Sequence, residues 1–159
     1  MSVKPIPDGF RTITPHLIIK QAGDAIAFYE KAFGAKQKMC LPAPDGSIMH
    51  AEIMIGDSML MIAEDMEMMD YVFAPTKLGG TTATVALYVE DADALFKQAV
   101  DAGATAIMEP NDAFWGDRYS KVRDPFGHEW EIITHLEDLT PEEIGQRAAA
   151  MFAQGGPCE

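Results

Sequence analysis

Residues 114–132 read FWGDRYSKVRDPFGHEWEI. Strand-like runs, Arg118–Arg123 and Glu129–Thr134, flank Asp124-Pro-Phe-Gly127. Proline presets φ for the first turn position and glycine accepts the positive φ that closes it, so the stretch predicts a hairpin. Upstream, the sequence predicts a strand over Thr82–Val89 and a helix over Asp91–Ala102, with Ala92, Leu95, Phe96, Ala99 and Val100 on one stripe. Gly103 ends that helix, and Thr105–Met108 is a further strand. The order is strand, helix, three strands.

The same order occurs earlier in the chain. Thr12–Ile19 suits a strand, and Ala22–Phe33 a helix whose stripe is Ala22, Ala25, Ile26, Tyr29 and Phe33. Gly34 stands at its end, and strands follow at Ala35–Leu41, Ile48–Ile55 and Ser58–Ala63. Pro44-Asp45-Gly46 and Gly56-Asp57 supply the turns. The helix ends KAFGA (31–35) and VDAGA (100–104) mark the repeat. Fold class is therefore α+β: two βαβββ modules with mixed sheets, plus a C-terminal helix. One domain is expected over 1–139, with module 1 at about 10–64, a linker at 65–80 and module 2 at about 81–136. Thr140-Pro-Glu-Glu143 has the pattern of a capping box, which starts a helix running to about Gln154 before a mobile tail.

Composition narrows the function. A chain of 159 residues buries a sizeable core. A formal net charge of −13 disfavours nucleic acid and anionic membranes as partners, and it suits either solubility or a site for cationic ligands. No apolar run reaches the ~20 residues that span a bilayer, and MSVKPIPDGF lacks a signal-peptide core, so a cytoplasmic location is expected. Cys40 and Cys158 are too few for a disulfide framework and are read as reduced thiols.

The paired modules, the helix end FYEKAFG (28–34) and the closing DPFGHEWEIITH (124–135) resemble the vicinal oxygen chelate superfamily. This group holds glyoxalase I, bleomycin-resistance proteins and extradiol dioxygenases. FWGDRY followed by DPFGHEW and TH is similar to its PhnB-like branch. The resemblance implies two cupped sheets enclosing a small-molecule cavity, and a homodimer. It also implies metal ligands on the first and last strand of each module, which fall at Thr14, Met61, Thr84 and Glu131, with His16 near the first. Thioether and hydroxyl donors suit Zn, Ni, Mn or Fe poorly. No metal cofactor is therefore expected; the alternative is a divalent-metal lyase, isomerase or dioxygenase.

Candidate site residues follow. Glu131 is the candidate catalytic base, against the reading of a paired cavity carboxylate. Trp115, Arg118, Tyr119 and Trp130 are the candidate ligand-binding group, with His16 and Met61 beside them. Arg118 has Asp117 or Asp124 as alternative partners, His16 has a plain core role as its alternative, His128 reads as structural, and His135 as exposed. Met54, Met59 and Met61 suit core or cavity lining, whereas Met66, Met68 and Met69 suit a lid or a dimer contact. The expected function is binding of a small organic molecule.

Overall fold

In each module the first strand lies parallel to the last, which places a helix between them and leaves the middle strands as antiparallel hairpins. The computed structural model describes residues 3–66 and 72–153. Module 1 comprises β1 (His16–Ile19), α1 (Ala22–Phe33), β2 (Lys36–Pro42), β3 (Ile48–Ile55) and β4 (Ser58–Glu64). A short helix, α2 (Pro75–Leu78), lies in the connection. Module 2 comprises β5 (Thr84–Tyr88), α3 (Ala92–Ala102), β6 (Thr105–Asp112), β7 (Asp117–Arg123) and β8 (Glu129–His135), followed by α4 (Pro141–Ala153). The two four-stranded sheets run β1-β4-β3-β2 and β5-β8-β7-β6. Among the described residues no helix is long and apolar enough to cross a membrane.

Each helix covers one face of its sheet. Leu17, Ile19, Ala51, Ile53, Leu60 and Ile62 are buried on the helix side of sheet 1. Alternation sends His16, His50, Glu52, Met54 and Met61 to the helix-free face. In module 2, Ser120, Val122, Trp130 and Ile132 point inward, while Tyr119, Lys121, Glu129 and Glu131 occupy the helix-free face. The last strand of each module also caps its helix. Glu64 accepts from the N–H groups of Gln21 (2.6 Å) and Ala22 (2.9 Å), and Thr134 accepts from Ala92 N–H at 2.9 Å. Gln21 takes a left-handed φ of 67° at that junction.

The modules meet through α1, α3 and the β7–β8 turn. Tyr29 and Phe33 of α1 pack on Trp130, with ring centroids 5.2 and 4.6 Å apart. Asp124, only 3% exposed, accepts four hydrogen bonds: from Tyr29 Oη at 2.7 Å, Trp130 Nε1 at 2.9 Å, and the N–H groups of Phe126 and His128 at 2.9 Å each. His128 donates from Nε2 to the carbonyl of Ile18 at 3.2 Å. Gln98 of α3 donates to the carbonyls of Lys31 and Ala32 at the end of α1. Gly127 has φ +92°, and a Cβ there would lie 2.9 Å from Pro75 Cβ, so the turn needs glycine for both conformation and space.

Several expected limits shift. β1 starts at His16 rather than Thr12: Thr14 turns its hydroxyl back to the Arg11 carbonyl (2.9 Å), and Pro15 has no N–H to pair. β6 runs to Asp112 rather than ending at Met108, through two register shifts, the second of which spans Pro110. The capping box forms as expected, with Thr140 N–H and hydroxyl both donating to Glu143, at 2.8 and 2.7 Å. Met68, Met69 and Cys158 lie outside the described residues.

The Asp124 contacts predict a graded loss of stability. Tyr29→Phe should cost about 1–2 kcal/mol. Asp124→Ala, which strands several buried donors, should cost about 3 kcal/mol or more in urea denaturation. Equal losses for the two variants would contradict this order.

Candidate functional site

On the helix-free face of module 2 the register sets the neighbours. Ala86, Glu131 and Lys121 form one row across β5, β8 and β7, and Tyr88, Ile133 and Tyr119 the next. Glu129 is held by Arg123 at 2.7 Å and Lys121 at 3.0 Å, and those donors keep its carboxyl below the usual range. Among the described residues Glu131 joins no ion pair; it accepts one hydrogen bond, from Tyr119 Oη at 3.1 Å. Burial, together with the Glu131 charge, pushes the Tyr119 phenol up to about 12, so Tyr119 remains a donor at neutral pH. Glu131 is thus a half-buried, oriented carboxylate without a cation.

A second carboxylate fixes the wall around it. Asp117 Oδ1 bonds His135 Nδ1 at 2.7 Å, and its Oδ2 accepts from Trp115 Nε1 at 3.0 Å and Tyr88 Oη at 3.4 Å. His135 Nε2 reaches Asp138 at 3.1 Å, and hydrogen bonding to Asp117 and then Asp138 raises its pKa. Trp115 lies edge-on to Tyr119, centroids 5.6 Å apart. The turn carrying Trp115 is pinned because Gly116 O accepts from the N–H groups of Leu136 and Glu137, at 3.0 Å each. A Cβ on Gly116 would lie 2.7 Å from Glu137 O, so only glycine fits this approach. Half-exposed His135 is therefore an anchor of the wall and not simply a surface residue.

Two expected wall residues lie elsewhere. Arg118 alternates with Tyr119 and reaches Asp93 of α3 at 2.8 Å and Asp112 at 3.0 Å, instead of Asp117 or Asp124. Trp130 alternates with Glu131, is 0% exposed, and belongs to the inter-module core. With Phe33, Leu95, Leu87 and Met59 it lines an apolar cavity of about 590 Å³ between the modules. The aromatic residues beside Glu131 are Trp115, Tyr119 and Tyr88, and the last of these was not foreseen.

On module 1, His16 and Met61 are direct neighbours, and Met61 pairs on its other side with Glu52. The rings of His16 and His50 lie 5.8 Å apart, and His50 Nε2 is 3.5 Å from Glu52 Oε1. Burial and then His50 lower the His16 pKa, so its imidazole is neutral at pH 7. His16 is exposed, not a core histidine. His50 and Glu52 did not count as candidates from sequence, although the two-residue alternation from Met54 puts them on this face.

A family model described as Glyoxalase/Bleomycin resistance protein/Dioxygenase superfamily matches residues 11–132. The chain belongs to this superfamily. An uncharacterized protein of Mycobacterium tuberculosis is 41% identical over 145 residues, covering 90% of this chain and 84% of the relative. The crystal structure of TioX from Micromonospora sp. ML1 superposes with a TM-score of 0.64 at 30% identity, over 79% of this chain and 99% of TioX. A PhnB protein from Bacillus cereus shares the fold, with a TM-score of 0.60 at 14% identity over 80% of this chain and 100% of its own.

The superfamily includes metal-dependent members, but the residues here do not fit a hard divalent ion. Thr14 spends its hydroxyl on Arg11 O, Met61 offers a thioether, Ala86 rather than Thr84 is the β5 neighbour of Glu131, and Glu131 stands without a second ligand. Among the described residues no three His, Cys, Asp or Glu side chains converge to hold an ion.

The histidines give stability a two-sided pH dependence. His135 has a folded pKa above 6.5, so its contribution is complete below about pH 6.5 and lost as pH rises through the folded value. His128 is lowered by burial and acts oppositely: as pH falls below 6.5 the unfolded chain takes the proton first, and stability declines toward the folded pKa; His16 adds in the same direction. His135→Gln should flatten the alkaline decline in urea midpoints and leave the acid decline in place.

Proposed function

We propose that this superfamily member binds a small organic molecule carrying a positive charge or an N–H donor, held against Glu131 and the wall of Trp115, Tyr119 and Tyr88. The observation that carries this reading is the Glu131 carboxylate, oriented by Tyr119 and free of any cation among the described residues. Aromatic faces attract cations through their quadrupole, and an unpaired half-buried carboxylate gains most from a ligand that neutralises it. Where such a ligand carries an ionisable proton, the same carboxylate is placed to accept it, which makes a proton-transfer enzyme the second reading. A metal-dependent lyase, isomerase or dioxygenase would need ligands that these positions do not supply.

A homodimer located in the cytoplasm is part of the proposal. The helix-free faces lie open in one chain, with Met39 (38% exposed), Leu41 (50%) and Tyr88 (67%) on them, and β1 and β5 are sheet edges. A second copy covering these faces would turn two open sheets into a closed cavity.

Matched aryl-alkyl amines and aryl-alkyl carboxylates, followed by tryptophan fluorescence, test the ligand class. Amines should bind in preference, Trp115→Phe should remove most of the signal, and Glu131→Gln should weaken amine binding by about tenfold or more. Equal affinity for carboxylates, or no effect of Glu131→Gln, would reject the reading. Light scattering should give twice the 17.4 kDa chain mass, falling to one chain in Met39→Glu/Leu41→Glu.

A further inference from the structure

The helix-free face of module 1 carries a group of side chains that ligand binding at Glu131 does not use. Across the sheet, His16 of β1, Met61 of β4, Glu52 of β3 and Met39 of β2 are successive partners in one row. His50 lies in the adjoining row, where its neighbour on β4 is Ala63 by continuation of the register, and Ile18 is the partner of Ala63 on β1. β1 and β3 are two strand spacings apart, roughly 9.6 Å. Their imidazoles nevertheless approach to 5.8 Å between centroids, nearly perpendicular at 79°. Both rings therefore lean toward β4, whose residues on this face between them are Met61 and Ala63. Among the described residues neither imidazole makes a hydrogen bond, although His50 is only 28% exposed. Their ring lone pairs are uncommitted.

Two imidazoles and one thioether form a soft donor set. Thioether sulfur discriminates against Mg, Mn and Fe and favours monovalent copper and its analogue silver, which accept three ligands in a nearly planar array. We propose that this face binds one monovalent copper or silver ion per chain through His16, His50 and Met61. Glu52 lies 3.5 Å from His50 and, by accepting from its second ring nitrogen, would turn the other toward the ion. The site lies within one module and shares no residue with the Glu131 wall, so it stands or falls separately from ligand binding there. Cys40 is not part of it: its side chain packs on the helix-side core, on the opposite face of β2 from Met39.

The full chain, as wild type and as Cys40→Ala/Cys158→Ala to remove both thiols, is titrated under nitrogen with Cu(I) supplied as its bicinchoninate complex, and separately with Ag(I) and Zn(II). Both forms should withdraw one equivalent of Cu(I). Met61→Leu, which keeps volume and removes sulfur, and His16→Gln should each weaken retention at least tenfold. Met151→Leu on α4 should have no effect. In methyl NMR spectra the Met61 ε-methyl should shift with Ag(I) in step with occupancy, a readout independent of variant folding. The proposal is overturned if the thiol-free chain leaves Cu(I) with the chelator or if Met61→Leu retains it fully. It is also overturned if Zn(II) binds as strongly and is lost in Glu52→Gln rather than Met61→Leu.

Discussion

The buried carboxylate of Asp124 is the constraint on which the arrangement of this molecule rests. An ionised carboxyl removed from water is costly unless its lone pairs are occupied. Here four donors occupy them, and they come from both modules: Tyr29 from α1, and Trp130, Phe126 and His128 from the hairpin that Asp124 itself begins. The charge is fully satisfied only when the modules are docked. The same burial and the Asp124 charge raise the Tyr29 phenol well above its usual pKa, which keeps the donor protonated. His128 extends the tie by bonding Ile18 O on the outer edge of β1. Turn, inter-module core and sheet edge are thus one polar network, and both helix-free faces take their relative positions from it.

The repeat is strict on one side of each sheet and free on the other. Positions facing the helices share a packing problem, so both modules bury mainly apolar residues there and cap the helix from the last strand, with Glu64 in one and Thr134 in the other. The helix-free faces carry no such demand and have diverged. His16 and Met61 occupy in module 1 the register that Ala86 and Glu131 occupy in module 2. One face became soft and imidazole-bearing, the other acidic and aromatic.

This division also explains what was legible in the sequence. α1, β3 and the capping box of α4 follow from periodicity and turn chemistry, which are local, and their limits match the structure. The start of β1 depends on which residues β4 reaches, a tertiary matter that strand propensity in Thr12-Ile-Thr overstates. α2 sits where Pro75 meets Gly127, a contact that no local pattern announces. Arg118 and Trp130 lie apart from Glu131 for a different reason. Strand alternation separates 118 from 119 and 130 from 131, so a wall containing Arg118, Tyr119 and Trp130 beside Glu131 mixes both faces of one sheet. Alternation carried through β7 and β8 excludes Arg118 and Trp130 and keeps Tyr119 with Glu131. Asp117, whose partners lie on β5, β8 and the preceding turn, emerges only when the strands are assembled.

The charge of the whole chain sharpens the chemistry of the open faces. With a net charge of −13, cations are scarce, and those near the Glu131 face are committed: Lys121 and Arg123 to Glu129, and Arg118 to Asp93 and Asp112. None is free to meet an incoming anion. Among the described residues Glu131 has a phenol and no cation as partner, and beyond it the surface is negative on average. An anionic ligand would have to displace an existing pair before it gained a partner, whereas a cationic one meets Glu131 directly, inside an aromatic wall that also favours positive charge. On the module 1 face, imidazole and thioether donors lie within the same negative field, which lowers the energy of any bound monovalent cation. The proposed selectivity rests on which cations the chain lacks as much as on which side chains it presents.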